Sequence, residues 1–315
     1  MRHAAIRTPP KTRQTLLTQP NPKPYRNSPQ SQSWLDLLDE SGIALWEEAL
    51  GPGVRTANIL DPAFMAAHLA DMGAMVETSI SHPSVILHGF FNEGPSSDPK
   101  ACPGYAASSA AVHARAPLSW RMTTWASDKT TSDVCLQYAD IVSFNNYPGW
   151  YNAPGSVANA EADWKRLSDW VMNNHATKPF TVSETGGGGL YEWKNDTSKA
   201  PGLFWSQKYQ SALVSADASY LANNTNVSGV ALWLLHDFKV DDESCGSCEY
   251  LPHPNNLTVP WTCGYIDVMC GGGASCATKP CGRPGGMNHK GTVDFWRREK
   301  ESFPLLSAIY GAGGQ

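Results

Sequence analysis

The chain has 315 residues, of which 41% are hydrophobic, and its formal net charge is -5. This length and composition suit one large or two small globular domains with a substantial core. Charges of both signs are mixed along the chain and no apolar stretch reaches the roughly 18 residues of a membrane span, so we expect neither a nucleic-acid nor a membrane partner.

Beyond an N-terminal segment, strand and helix patterns alternate along the chain. Residues 1–25 are rich in Pro, Thr, Gln and Arg, contain no apolar run of the kind that predicts a signal peptide, and are predicted to be disordered. Residues 33–42 predict a short helix that ends at Gly42, and Asp61 with Pro62 predicts the start of a second helix. Apolar runs that predict strands lie at residues 43–46, 84–91, 119–125, 139–147, 179–184 and 228–235. Strands that alternate with helices indicate an α/β fold with a parallel sheet.

Polar and aromatic residues end several of these strands. They are Glu47, Asn92 with Glu93, Trp125, Asn145 to Tyr147, Glu184, and Trp233 with His236 and Asp237. In a (β/α)8 TIM barrel the carboxyl ends of the strands form the rim that holds the active site. Glu93 and Glu184 would face each other at this rim. Glycoside hydrolysis uses such a pair of acids: one protonates the departing oxygen, and the other attacks the anomeric carbon or activates water. The alternative is that both are surface charges.

The cysteines are clustered. Six of the eight lie between positions 245 and 281, apart from Cys102 and Cys135. Asn-x-Ser/Thr sequons occur at Asn195, Asn223, Asn226 and Asn256. Together these features favour disulfides and glycosylation, and hence a secreted protein or one in a secretory or lysosome-like lumen. The Cys245-x-x-Cys248 pair leaves a zinc-binding interaction module as the alternative.

Several ordered motifs resemble glycoside hydrolase family 2, the β-galactosidase and β-glucuronidase family, over residues 26–310. They are SWLDLLDESGIALWEEALGPG, SHPSVILHGFFNEG, ADIVSFNNYPGWY, KPFTVSETG, GVALWLLHDF and RPGGMNHKGTVDFWRREK. The resemblance implies a retaining exo-β-glycosidase with Glu93 as general acid/base and Glu184 as nucleophile. It also implies that Asn92 binds the sugar 2-hydroxyl. Tyr147 would orient Glu184, and Trp233 would offer the sugar an aromatic face. For these two aromatic residues the alternative is packing in the core or at the rim.

The motif NHKG bears on the sugar. Asn288 and Lys290 resemble the pair by which family members hold a uronic acid carboxylate, which favours a β-glucuronide over a β-galactoside; a solvated loop is the alternative. The resemblance implies a carbohydrate substrate, and homo-oligomers are common in the family. A two-carboxylate mechanism requires no cofactor, and the barrel region shows no complete set of metal ligands, so we expect no metal.

The chain also departs from the family pattern. His88 replaces a usual aromatic, residues 25–34 lack the expected His and Tyr, and residues 241–282 form a Cys-rich insertion. Because we find only six strands, we expect a barrel that lacks its first two strands, in an N-terminally incomplete chain. A non-catalytic or vestigial carbohydrate-binding protein is the alternative function.

Overall fold

A computed structural model describes residues 17–18, 30–116, 121–194, 196–239 and 287–311. The predicted Cys-rich insertion at 241–282, with its disulfide and zinc alternatives, lies outside these residues, as do the sequons Asn195 and Asn256.

Parallel strands in chain order form the framework of the described part. They are β1 (Leu17–Thr18), β2 (Leu45–Ala49), β3 (Val85–Phe90), β4 (Met122–Thr124), β5 (Val142–Asn145), β6 (Phe180–Thr185) and β7 (Gly229–Leu232). Strands β1 to β4 pair in that order, β5 to β7 likewise, and a parallel bridge between Ser127 and Phe144 joins the two groups. This is the TIM-barrel order. A short antiparallel pair, β8 (Phe238–Lys239) and β9 (Met287–Asn288), follows β7.

Strand β1 corrects the prediction for the N-terminal segment. Leu17 and Thr18 lie in the stretch predicted to be disordered, yet they pair in parallel with Leu45 and Trp46. The open edge of β2 offers backbone donors and acceptors, and two residues are enough to use them. The expectation that no strand precedes residue 26 is therefore wrong at these two residues.

Helices connect the strands within the described ranges. They are α1 (Gln32–Ser41), α2 (Thr56–Ile59), α3 (Pro62–Ser79), α4 (Cys102–Arg115), α5 (Ala158–Asn174), α6 (Gln207–Asn223) and α7 (Ser302–Gly311). The predicted helix ends are confirmed: Gly42 ends α1 with φ 64°, and the Asp61 side chain accepts a hydrogen bond from the Ala63 N–H at the start of α3. Among the described residues, no helix combines the length and hydropathy needed to cross a membrane.

The apolar core lies on both faces of the strands. Ala49 and Phe90 belong to the large cluster shared with the helices, whereas Trp46 and Leu87 belong to a smaller cluster. Successive side chains of a strand point to opposite faces, so the smaller cluster fills the barrel interior. This alternation decides which residues at the strand ends face the barrel interior.

His88 lies on the helix-facing side of β3, opposite Glu47 in register. Its ring is fully buried, its Nδ1 lies 3.8 Å from Glu47 Oε2, and neither ring nitrogen has a hydrogen-bond partner among the described residues. Burial, followed by the charge of Arg121, lowers the pKa of His88 to about 4, so the ring is neutral. The His88 departure therefore affects the layer between the strand and the helices, whereas Leu87 faces the barrel interior.

A disulfide joins Cys102 and Cys135, the two cysteines that the sequence sets apart from the cluster. It links the start of α4 to the segment between β4 and β5. Closing a loop of this size stabilises a fold by about 3–4 kcal/mol, mainly by restricting the unfolded chain.

Candidate active site

The carboxyl ends of β2, β3, β5 and β6 bring polar side chains to one rim. Asn145 closes β5 and stands opposite Glu184 of β6 in register, and the Asn146 N–H donates to the Glu184 carbonyl oxygen at 3.0 Å. We call Glu93, Asn145, Tyr147 and Glu184 the strand-end group. Trp125, which we also predicted as a strand-end residue, packs in the helix-facing core instead.

Glu93 is held in an unusual backbone conformation just after β3. Its φ is 52°, that of Phe91 is 55°, and the Glu93 N–H donates to the Ala126 carbonyl oxygen at 2.8 Å. Such conformations cost of order 1–3 kcal/mol per residue and persist where the surrounding structure enforces them, often at functional sites. The turn directs the Glu93 carboxyl into the cleft.

Asn145 connects the two predicted catalytic acids. Its Nδ2 donates to Asn92 Oδ1 and to Glu93 Oε1, both at 3.1 Å, and its own Oδ1 accepts from Ser183 Oγ at 2.7 Å. Asn145 also stands opposite Glu184 in register. This residue therefore lies next to both acids, and the sequence analysis gave it no role.

Glu184 is the most buried acid of the cleft, with 8% of its surface exposed. Burial, and next repulsion from Glu93, raises the pKa of Glu184 to about 8, against hydrogen bonds from Tyr147 and Asn145 and the positive charge of Lys290. The Tyr147 hydroxyl donates to Glu184 Oε2 at 2.5 Å. The predicted contact between Tyr147 and Glu184 is therefore present.

Glu48 is a third cleft acid that the sequence analysis missed. Burial raises the pKa of Glu48 to about 8; repulsion from Glu184 and Glu93 adds to this shift, and a hydrogen bond from the Asn92 backbone opposes it. We predicted Glu47 as the strand-end acid, but strand alternation turns Glu47 towards the helices and Glu48 towards the interior. The Glu-Glu pair at the end of β2 was the available signal, since one of two consecutive strand residues must face inward.

Lys290 enters the cleft from the loop after β9. Its Nζ donates to the Tyr151 hydroxyl at 2.6 Å and lies 5.2 Å from the centre of the Tyr147 ring and 5.7 Å from that of Trp150. Only 4% of Lys290 is exposed, so the alternative of a solvated loop lysine is wrong. Asn288 is equally buried, and its Oδ1 accepts from the Lys290 N–H at 3.1 Å. Tyr151 was not predicted from the sequence.

Trp233 follows β7, and its N–H donates to the Thr185 carbonyl oxygen at 2.8 Å, one residue beyond Glu184. Its ring is half-buried and meets Phe238 edge-on at 6.1 Å. This position beside the nucleophile candidate is compatible with the predicted sugar-facing role, which stays a prediction.

One group of potential metal ligands occurs in the described ranges, formed by Asp36, Asp39 and His82. Asp36 and Asp39 belong to α1, and His82 precedes β3, so the group lies at the amino ends of the strands, away from the rim. His82 Nδ1 and Asp39 Oδ2 are already hydrogen-bonded at 2.7 Å. The group has no geometric link to the cleft.

Comparison with known proteins places this rim in a family. The family described as "Glycosyl hydrolases family 2, TIM barrel domain" matches residues 12–248. The chain belongs to glycoside hydrolase family 2. The match covers most of the chain, including every residue of the strand-end group, and it agrees with the parallel strand order.

Relatives in family 2 are similar in sequence and in structure. The chain is 27% identical over 218 residues to a β-glucuronidase of Canis lupus familiaris. The aligned region covers 68% of this chain and 32% of that relative. A family 2 β-galacturonidase from Eisenbergiella tayi bound to galacturonate superposes with a TM-score of 0.71 at 26% identity, covering 90% of this chain and 43% of the other.

A β-glucuronidase from Bifidobacterium dentium complexed with coumarin-3-O-glucuronide has a TM-score of 0.71 at 18% identity, covering 94% of this chain and 40% of the other, and it supports the fold alone. The chain spans about a third of the length of the Canis lupus familiaris relative.

Proposed function

We propose that this chain is the catalytic barrel of a retaining exo-β-glycosidase that hydrolyses β-glucuronides in preference to β-galactosides. The observation that carries the proposal is the convergence of the two acids, Glu93 and Glu184, with the buried cation of Lys290 in one cleft. A carboxyl pair supplies the chemistry of glycoside hydrolysis, and a buried ammonium beside it supplies a partner for an acidic sugar.

The reaction proceeds in two displacements. Ionised Glu184 attacks the anomeric carbon while Glu93 gives its proton to the departing glycosidic oxygen, which leaves a covalent glycosyl-Glu184 ester. Glu93, now ionised, takes a proton from water, and that water attacks the anomeric carbon and releases Glu184. The nearness of the two acids supports this pathway: Asn145 stands opposite Glu184 in register and donates to Glu93 Oε1, and repulsion from Glu93 contributes to the raised pKa of Glu184. Such closeness favours retention over inversion.

The glycone preference rests on Asn288 and Lys290. The ammonium of Lys290 and the amide of Asn288 can both donate to a carboxylate, and the Tyr151 hydroxyl beside Lys290 adds a third polar group. The neutral 6-hydroxymethyl group of a galactoside does not supply the carboxylate that these donors can bind. Relatives named as β-glucuronidase and β-galacturonidase act on sugars that carry such a carboxylate.

The test is hydrolysis of 4-nitrophenyl β-D-glucuronide and 4-nitrophenyl β-D-galactoside by the full chain, assayed in parallel. We expect a kcat/KM for the glucuronide at least about tenfold higher, since one charge-assisted hydrogen bond stabilises a complex by about 1.5–3 kcal/mol. A folded chain that cleaves neither substrate would support the non-catalytic alternative.

We further propose that the protein passes through an oxidising lumen. The Cys102–Cys135 disulfide supports this, and the exposed sequons Asn223 and Asn226 are accessible to glycosylation. Peptide mass spectrometry of the natively expressed protein would detect both modifications. Free thiols at Cys102 and Cys135 would contradict the proposal.

A further inference from the structure

A fully buried ion pair lies directly behind the loop that carries Asn288 and Lys290. Lys300 Nζ is 2.9 Å from Asp237 Oδ1 and donates to the His289 carbonyl oxygen at 3.0 Å. The Asp237 and Lys300 side chains are at most 1% exposed. The ammonium of Lys300 thus bonds the backbone of the residue between Asn288 and Lys290.

Asp237 holds the other side of the same loop. Its Oδ1 accepts from the Gly291 N–H at 2.8 Å, and its Oδ2 lies 3.4 Å from His289 Nδ1. A Cβ added at Gly291 would lie 2.5 Å from Asp237 Oδ1 and 2.3 Å from Asp237 N, so glycine is required for this approach. The two buried charges therefore fix the residues on both sides of Lys290.

Neighbouring backbone bonds complete the attachment. The Leu234 N–H donates to the Lys290 carbonyl oxygen at 3.3 Å, the Thr292 N–H donates to the Leu234 carbonyl oxygen at 3.1 Å, and Gln210 Nε2 donates to the Gly291 carbonyl oxygen at 3.0 Å. These bonds hold the backbone from which the Lys290 side chain reaches Tyr151.

A buried ion pair is weak evidence for stability, because desolvation of both charges offsets most of their attraction and an apolar pair of similar volume often serves as well. An apolar pair could not make two directional bonds that this pair makes. Lys300 donates to the His289 carbonyl oxygen, and Asp237 accepts from the Gly291 N–H. We propose that Asp237 and Lys300 are positioning residues that hold residues 288–291 so that Asn288 and Lys290 meet the carboxylate of a uronide. The identity of that ligand rests on the proposed function.

The first test compares two variants of the full chain. Lys300→Met removes the bond to the His289 carbonyl and leaves Asp237 as an unpaired buried charge. The double variant Asp237→Leu with Lys300→Met puts an apolar pair in place of both charges and removes the acceptor of the Gly291 N–H. We expect both to raise KM for 4-nitrophenyl β-D-glucuronide by about tenfold to hundredfold, with kcat changed less than about threefold, since displaced binding groups weaken binding more than chemistry.

Arg121→Met is the matched control. Arg121 is another buried cation, and its guanidinium donates to the carbonyl oxygens of Ser79 and His82 at the amino end of β4. We expect this variant to lose stability without a change in KM. An equal rise of KM in the control, or a double variant with the KM of the unmodified chain, would overturn the positioning role.

A second readout separates this inference from the proposed function. Hydrogen exchange measures whether the amides of Gly291 and Thr292 are held, whatever the chain hydrolyses. We expect exchange at these amides to accelerate by at least about tenfold in the double variant, with amides of α3 unchanged. If the unmodified chain cleaves no uronide, the proposed function fails, and unchanged exchange at Gly291 would separately refute the positioning claim.

Discussion

The strand-end group and the loop at residues 287–293 reach the same cleft from different kinds of structure. The strand-end group is placed by parallel strand pairing, with Asn145 opposite Glu184 in register. The loop is placed by side chains, chiefly the buried pair of Asp237 and Lys300. We infer that the strand-end group governs the chemistry on any β-glycoside, whereas the loop governs which sugar is bound.

The largest expected effect is at the nucleophile. We expect Glu184→Ala to lower kcat by about 10³-fold or more on glucuronide and galactoside alike, because the covalent step is lost. Circular dichroism should show an intact fold. Glu47→Gln is the control, an acid of the helix-facing side of β2 whose removal should preserve kcat. Unchanged turnover in Glu184→Ala would assign the nucleophile to another residue.

Lys290→Met should separate the two regions most clearly. We expect kcat/KM for the glucuronide to fall roughly 10- to 150-fold, the equivalent of one charge-assisted hydrogen bond of about 1.5–3 kcal/mol. Activity on the galactoside should change little when each variant is assayed at its own pH optimum. Lys239→Met, an exposed lysine of β8, is the matched control. Equal losses on both sugars would mean that Lys290 serves the chemistry instead.

Tyr147→Phe should change the pH dependence of the strand-end group. The Tyr147 hydroxyl stabilises ionised Glu184, so its removal raises the pKa of Glu184 further above its ordinary value. Because the nucleophile must be ionised, kcat/KM falls at low pH. In the variant this acid limb of the pH profile should move to higher pH by about 1 pH unit. Tyr138→Phe, at an exposed tyrosine, should leave the limb in place. A limb that moves to lower pH would contradict the assignment.

The disulfide lies outside both regions and should have the smallest effect on activity. We expect Cys102→Ser with Cys135→Ser to remove about 3–4 kcal/mol of stability. This corresponds to a fall in Tm of roughly 6–15 °C by calorimetry for a domain of this size. At 25 °C the kcat/KM ratio between glucuronide and galactoside should be unchanged. A shifted ratio would show that α4 and the segment before β5 also shape the sugar site.

The strands and the two catalytic candidates could be predicted because their signals are local. Apolar runs give the strands, Gly42 and Asp61 give helix ends, and the carboxyl ends of parallel strands meet at one rim. Strand β1 was missed because two residues carry too short a pattern to recognise. Glu48 was passed over for Glu47 because a shift of one residue exchanges the two faces of a strand.

The contacts of the loop depend on residues far apart in the chain. Tyr151 and Lys290 are separated by 139 positions, and Asp237 and Lys300 by 63. No periodicity links such residues, and a single buried lysine looks in the sequence like any solvated one. The resemblance indicated Asn288 and Lys290, but the groups that hold them became visible only once the fold was known.

The most direct test of the double-displacement claim is to trap the covalent intermediate. A 2-deoxy-2-fluoro-β-D-glucuronyl fluoride slows both displacements while fluoride departs readily, so the glycosyl-enzyme should accumulate. We predict one adduct by intact mass, located by peptide sequencing to Glu184 and absent in Glu184→Ala. An adduct on another carboxyl group, or turnover of the reagent to the α-configured product, would contradict the account.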